Sequence, residues 1–576
     1  MGALPGPLVS VGGMTDDERT GARRPRGGGR GARGLGVVLA SACLLGGLVP
    51  GATSAAHATR NGTDPALSRY HHQVLGWHSC VRGAADEVGR ALEKAGARCA
   101  EVTVPLDYAE PGGLTTTVAI ARISAPDTRR RIGPLLVNPG GPGAPALGLA
   151  AFVHAALGSV AARYDVIGMD PRFVGRSTPL DCGWPTGTVI RGAGLTRAAF
   201  ERQVAFHRDL VARCRTRNGP LLPHVTTRNT ARDMDVVRAV LGAPKLSYLG
   251  YSYGTYLGTV YTQMFPGHYD RVVLDSALDP VRYGPRMLRD TLPANERALA
   301  AWAGWAARRH GTYRLGRTRA QVLAAVDRFL RTADRRPLAV GSAPETYRVD
   351  STHIPFLVLS GIADDTDAAR AEFSGQMSVL ADAAAGRPPR RLSPQFTELL
   401  RIILTGERSH YGSVQAALVC GDKPAPRNPE HYWRNVERSL AARPLFGPLS
   451  HAIGPCAFWD RPREEPTRVT HDTPALILAA TGDPRTPYEG NVALHRMLPA
   501  SRLITLRDTI RHGVYGVSGS ACADALVNSY LNTGTLPAGD RTCSRPDAGG
   551  GGGPTSRSPA YATIGLPEGV YGGRIP

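Results

Sequence analysis

Leu246-Ser247-Tyr248-Leu249 runs without a break into Gly250-Tyr251-Ser252-Tyr253-Gly254 and on into Thr255-Tyr256-Leu257-Gly258-Thr259-Val260-Tyr261. An apolar run, a G-x-S-x-G pentapeptide and a helix-like stretch read as strand, sharp turn and helix, with Ser252 at the turn. A serine so placed is held out at a helix N-terminus, and the flanking glycines let the backbone close tightly. The pentapeptide alone is weak, because a chain of 576 residues holding 68 glycines can produce one by accident. Its flanks decide the reading.

Upstream, Leu135-Leu136-Val137 reads as a buried strand entering Asn138-Pro139-Gly140-Gly141-Pro142-Gly143. Taken alone, that stretch is as well explained by an ordinary tight turn. Followed by an elbow, a glycine-rich turn after an early strand offers one backbone N–H of an oxyanion hole, the other coming from Tyr253, the residue after the serine. Each such donor contributes about 3 kcal/mol of transition-state stabilisation.

Downstream, Pro474 to Ala480 is a continuous apolar strand ending in Thr481-Gly482-Asp483-Pro484-Arg485-Thr486-Pro487. Asp483 therefore lies at a strand's C-terminal end, where open α/β sheets gather their chemistry. Ser501 to Leu506 gives another strand, and Arg511-His512-Gly513 follows it. The chain order Ser, Asp, His is that of α/β-hydrolases, unlike the orders found in chymotrypsin and subtilisin. Asp483 competes with a simple turn-opening role and with Asp275 and Asp279, which lie one strand too early. His471 precedes a strand and His495 falls in a helical stretch, so neither occupies the loop after the last strand, as His512 does.

These elements predict a mostly parallel twisted sheet with helices on both faces. Ala100 to Leu106 and Thr115 to Ala121 flank Pro111-Gly112-Gly113 as an antiparallel hairpin, and Tyr164 to Asp170 forms a further strand. Thr230 is the expected N-cap of the helix before the elbow, which Gly242 and Pro244 stop. Between about 280 and 465 the pattern turns helical, at Glu296 to Arg309, Arg319 to Arg331, Asp364 to Ala385 and Gln395 to Thr405. An insertion there reads as a cap. Trp302, Trp305, Trp433 and Trp459 fall within it and are expected chiefly to pack the cap.

The motifs from Asn138 to Gly143, Tyr164 to Arg172, the elbow, Thr481-Gly482-Asp483 and the close from His512 through Cys522 to Cys543 resemble the secreted tripeptidyl aminopeptidases and related α/β-hydrolases of actinomycetes, relatives of proline iminopeptidases. The resemblance spans roughly residues 70 to 543. It implies Ser252 as nucleophile, His512 as base, Asp483 as its orienting acid, and Gly141 and Tyr253 as oxyanion-hole donors. Two departures bear on substrate preference. Phe173 stands where the family's Asp-Pro-Arg-Gly-Val-Gly loop has its first glycine, so the turn beside the pocket is expected to be reshaped. Ala144-Pro145-Ala146 replaces the usual small residues after the glycine-rich loop.

The resemblance implies a secreted serine exopeptidase acting near a free peptide N-terminus through a Ser-His-Asp triad and an acyl-enzyme. A carboxylesterase on the same fold is the alternative, and a non-catalytic wall-associated binding protein a distant one. An aminopeptidase must also hold a protonated amine; Asp364, Asp365, Asp367, Glu372 and Asp422 are candidate carboxylates, among which sequence does not choose. The expected partner is a peptide or ester. The chain is expected to act as a monomer, with no cofactor, metal, nucleic acid or stable membrane insertion.

Arg19, Arg23, Arg24, Arg26, Arg30 and Arg33, the apolar stretch Leu35 to Val49 and the site Ala56-His57-Ala58 form an export signal, so the protein is expected outside the cell. Removing that leader takes Cys43 and leaves eight cysteines, an even number that in an exported protein implies disulfides. Eight cysteines allow 105 pairings; nearest-neighbour pairing is favoured, since each bridge then closes a loop of about 20 to 36 residues. The net charge of +20 is carried almost wholly by arginine, with Lys94, Lys245 and Lys423 as the lysines. No nucleic-acid signature accompanies it; arginine bias of this kind usually reflects a GC-rich genome, and electrostatic association with an anionic cell wall or membrane surface is the alternative reading. The expected organisation is a signal peptide over 1–58, the first part of the hydrolase core over 59–280, the helical cap over 281–465, the second part of the core over 466–543, and a flexible glycine-rich tail over 544–576.

Overall fold

The computed structural model describes residues 65–545; the expected signal peptide and nearly all of the expected tail lie outside them. Among the described residues the strands are β1 (Ala97–Pro105), β2 (Thr115–Ile123), β3 (Gly133–Asn138), β4 (Tyr164–Met169), β5 (Leu246–Tyr251), β6 (Tyr269–Asp275), β7 (Leu338–Ser342), β8 (Glu345–Val349), β9 (Leu476–Ala480), β10 (Arg502–Arg507) and β11 (Arg541–Ser544). Nine form one sheet in the order β1-β2-β4-β3-β5-β6-β9-β10-β11, and β7 with β8 form a separate hairpin. β2 pairs antiparallel with both β1 and β4, and every other pairing in the large sheet is parallel. This is the α/β-hydrolase fold.

The central strands place buried apolar residues on both faces because both faces are covered. In β3 the side chains of Leu135 and Val137 join one core and Leu136 the other. β9 repeats the alternation, with Leu476 and Leu478 on the first side and Ile477 on the second. The chain leaves β3 for β4 on one side and returns to β5 on the other. The crevice at the C-terminal ends of β3 and β5 is thus the topological switch point, the place where such sheets bind ligands. Register completes the placement: Asn138 pairs with Gly250, so the glycine-rich turn after β3 and the elbow after β5 emerge side by side.

The helix before β5 spans Thr227–Val240 and is capped by Thr226, whose hydroxyl accepts the Asn229 N–H. It therefore begins about one turn before the position expected from Thr230, whose own hydroxyl donates back to the Thr226 carbonyl. Between β6 and β9 the helices expected from sequence occur as Leu288–Ala307, Arg319–Arg335, Asp367–Ala384 and Pro394–Leu404. They share their own apolar core, with Trp302, Phe329, Leu357, Met377 and Phe446 among its members. Trp302, Trp305 and Trp459 are buried, and Trp433 is partly buried against Phe200.

A second excursion, between β4 and the helix Thr227–Val240, is built from a long loop and the helix Arg197–Asn218, joined by the Cys182–Cys214 disulfide. It packs on the insertion through the Gly187 N–H to the Ile402 carbonyl at 2.7 Å and the Trp184 N–H to Ser409 Oγ at 2.6 Å. The other bridges are Cys80–Cys99, Cys420–Cys456 and Cys522–Cys543, so the pairing is the nearest-neighbour one. Among the described residues no helix is long and apolar enough to cross a membrane.

Candidate active site

Ser252 caps the helix Tyr253–Met264 with φ 56° and ψ −124°, a conformation that non-glycine residues rarely adopt. Such strain persists only where the surroundings over-determine it. Here the Ser252 N–H donates to the Asp275 carbonyl at 2.9 Å, tying the turn to the end of β6. The flanking glycines are required by contact. A Cβ on Gly250 would lie 2.5 Å from the Gly254 carbonyl oxygen, and one on Gly254 would lie 2.8 Å from the Asn138 carbonyl oxygen.

The turn after β3 presses on the elbow just as closely. A Cβ on Gly140 would come within 2.5 Å of the Tyr251 oxygen and 2.9 Å of the Tyr253 nitrogen. The Gly140 N–H is occupied by Asn138 Oδ1 at 2.9 Å, and Gly141 lines a cavity together with Ser252, Tyr253 and His512. That cavity holds about 490 Å³. Its walls come from the strand ends, from the insertion through Phe356, Leu359, Tyr411 and Gln415, and from the second excursion through Thr188 and Ile190.

His512 and Asp483 are both buried, and His512 Nδ1 lies 2.8 Å from Asp483 Oδ2. The carboxylate is held by three further donors: Arg485 N–H at 2.8 Å and Thr486 N–H at 3.1 Å on Oδ1, and the Thr486 hydroxyl at 2.7 Å on Oδ2. Thr486 Oγ1 also stands 3.3 Å from His512 Nδ1. An imidazole whose Nδ1–H donates to a fixed carboxylate keeps a lone pair on Nε2, the arrangement a general base needs.

Residues 443–543, which include both Asp483 and His512, match a family model described as TAP-like protein. The chain is 35% identical over 513 residues to the tripeptidyl aminopeptidase of Streptomyces lividans, covering 82% of this chain and 91% of that protein. It belongs to the tripeptidyl aminopeptidase-like family of α/β-hydrolases. Serine protease Hip1 of Mycobacterium tuberculosis is 29% identical over 488 residues, 78% of this chain and 87% of that one. Carboxylesterase B of the same species is 32% identical over 540 residues, 88% of this chain and 98% of that one.

The competing residues of this TAP-like hydrolase have other partners. The Asp275 carboxylate accepts the Val514 N–H at 3.0 Å and the Tyr515 N–H at 2.7 Å, and burial pushes its carboxyl up to about 7. His471 Nε2 meets the Tyr269 hydroxyl, and His495 sits between Ser501 and Asp540. Neither histidine lines the cavity.

The carboxylates singled out for an amine also lie elsewhere. Asp367 accepts from Trp305 Nε1, and Glu372 is bonded to Gln376 and Ser393. Asp422 is buried, accepts from Thr227 and the Tyr283 hydroxyl, and is pushed up to about 6 by burial. Asp364 and Asp365 are bonded to the segment that carries His512. The carboxylates that line the cavity are Asp279, Asp290 and Glu489, set among Arg282, Arg297 and Arg485. A strand-end motif marks Asp279, but nothing in the sequence marks the other two, which are single charges in helices. None of the four tryptophans of the insertion reaches the cavity.

Phe173 takes φ 66°, the left-handed region that favours glycine, and its ring is buried with Val174, Leu180 and Trp184. It lines a smaller hollow of about 110 Å³ with Gly143, Tyr411 and Val414. The turn thus keeps a glycine-type backbone while adding an aromatic ring to the buried cluster beside the glycine-rich turn after β3.

Proposed function

We propose that the protein is a secreted serine exopeptidase that releases short peptides from a free N-terminus. Ser252 attacks the carbonyl carbon while His512 takes its proton, and Asp483 steadies the resulting imidazolium. The N–H groups of Gly141 and Tyr253 hold the oxyanion, helped by the positive end of the helix Tyr253–Met264. His512 then returns the proton to the leaving amine, and water hydrolyses the acyl-enzyme by the same route in reverse. The observation that carries this reading is the 2.8 Å contact between buried His512 and Asp483 at a cavity that Ser252 also lines.

Asp279 and Asp290, both paired with Arg282, and Glu489, beside Arg297, are the carboxylates that the substrate's ammonium would meet, and the walls formed by Phe356, Leu359, Tyr411 and Gln415 exclude water from the acyl group. Four disulfides among the described residues favour an oxidising compartment and support export. The second reading is a carboxylesterase, favoured by the Carboxylesterase B relative and by the apolar side of the cavity, which Ile190, Leu278 and Met287 build.

The two readings part on a single substrate change. For the exopeptidase, acetylating the amine of a tripeptide p-nitroanilide lowers kcat/KM by about 100-fold or more, the scale expected when a charged contact made by the site is lost. p-Nitrophenyl butyrate, which has no amine to block, is the ester whose rate is compared with both anilides. Equal turnover of free and acetylated tripeptide anilides, with faster ester hydrolysis, would favour the esterase.

A further inference from the structure

We infer that the segment Ala363-Asp364-Asp365 of the insertion is a clasp that positions His512, with the Asp364–Arg511 ion pair as its closing contact. This inference rests on His512 being the base.

The clasp is a short antiparallel pairing between the insertion and the histidine loop. Asp364 bridges Arg511, the His512 N–H donates to the Ala363 carbonyl at 3.2 Å, and the Asp365 N–H donates to the Ile510 carbonyl at 3.0 Å. The Ile510 N–H returns to Asp365 Oδ2 at 2.9 Å. The Arg511 side chain is 3% exposed, and its guanidinium reaches both Asp364 Oδ2 and the Val517 carbonyl. Asp364 is itself fixed, because its Oδ1 accepts the Thr366 N–H at 2.8 Å.

The other flank of His512 is gripped by the sheet. Gly513 N–H donates to Ser276 Oγ at 2.8 Å, and the next two N–H groups go to the Asp275 carboxylate. The histidine therefore sits between a hold from the end of β6 and a hold from the insertion. A reacting side chain carried on a loop keeps productive geometry only when such supports fix it to about 0.5 Å. The helix Ile354–Gly361, just before the clasp, lines the cavity with Phe356, Leu359 and Ser360. One continuous stretch of the insertion thus shapes the acyl pocket and holds the base.

Asp364→Asn keeps the turn contact through Oδ1 and removes the charge facing Arg511. The expected result is a fall in kcat on a tripeptide anilide of about 10- to 100-fold, the cost of slightly misplacing a catalytic group, with KM within about threefold of wild type. Asp364→Glu, which keeps the ion pair, is expected to restore most of the loss. Asp367→Asn, in the same turn but bonded to Trp305, is the control and is expected to act as wild type.

Unpairing a buried arginine can unfold a protein. If Asp364→Asn does not fold, Arg511→Lys, which retains a charge opposite Asp364 but cannot also reach the Val517 carbonyl in the same geometry, is read the same way. A folded Asp364→Asn or Arg511→Lys with kcat within about twofold of wild type, or a control that loses as much, would overturn the clasp. His512→Ala separates the two layers. If it retains turnover, the base assignment fails and the clasp with it; if it is inactive while the clasp variants are wild-type-like, only the clasp fails.

Discussion

Ser252→Ala is expected to lower kcat on a tripeptide anilide by about 10⁶-fold, the loss seen when a triad nucleophile is removed and only oxyanion binding remains. KM should change little, because the hydroxyl contributes no more to ground-state binding than to holding the substrate's place. The substitution is also structurally mild. The bond from the residue 252 N–H to the Asp275 carbonyl and the fit of Gly250 and Gly254 around the turn involve backbone only. Thermal midpoint and circular dichroism should therefore match wild type while progress curves are flat. A residual rate within about 100-fold of wild type would mean that another group supplies the nucleophile.

Asp483→Asn is expected to cost about 10⁴-fold in kcat with the fold intact, the cost of setting the wrong imidazole tautomer. The amide oxygen can take the place of Oδ1 and keep the Arg485 and Thr486 N–H bonds. Its NH₂ then replaces Oδ2, which faces the Thr486 hydroxyl and His512 Nδ1. A donor there makes Nδ1 an acceptor and puts the proton on Nε2, the nitrogen that must receive the serine proton. The loss should appear in kcat/KM for anilide and ester substrates alike, because it strikes the shared base. A variant that cleaves either substrate at near wild-type rate would remove Asp483 from the mechanism.

The elbow, the glycine-rich turn, the Asp483 loop and the His512 loop were legible in sequence for one reason. Each follows a short strand dominated by buried apolar residues, and a parallel sheet with both faces covered leaves that signature locally. The chain order of the three groups then restricts where they meet. The insertion was legible as helices where these are amphipathic, as in Arg319–Arg335. It was not legible where a helix is buried on nearly every side, as in Ser409–Asp422, whose Tyr411 and Gln415 reach the cavity.

The excursion carrying Thr188 and Ile190 has no periodicity, and its place over the site depends on contacts with residues more than 200 positions away, such as Trp184 with Ser409. Charge was the least readable property. Asp364, Asp365 and Asp422 look like solvated helix-end carboxylates, yet the first two grip the histidine loop and the third lies buried, bonded to Thr227 and the Tyr283 hydroxyl. An isolated charge in sequence carries no record of which partner the fold will bring to it.

The central claim is that burial, strain and a carboxylate-held imidazole make the hydroxyl of Ser252 a nucleophile. Incubation of the purified protein with a fluorophosphonate probe, followed by peptide mapping by mass spectrometry, reads that property directly. The account predicts a single stoichiometric adduct on Ser252, prevented by a tripeptide substrate and absent in His512→Ala. An unlabelled Ser252 in folded, active protein, or an adduct on another serine that tracks the loss of activity, would contradict it.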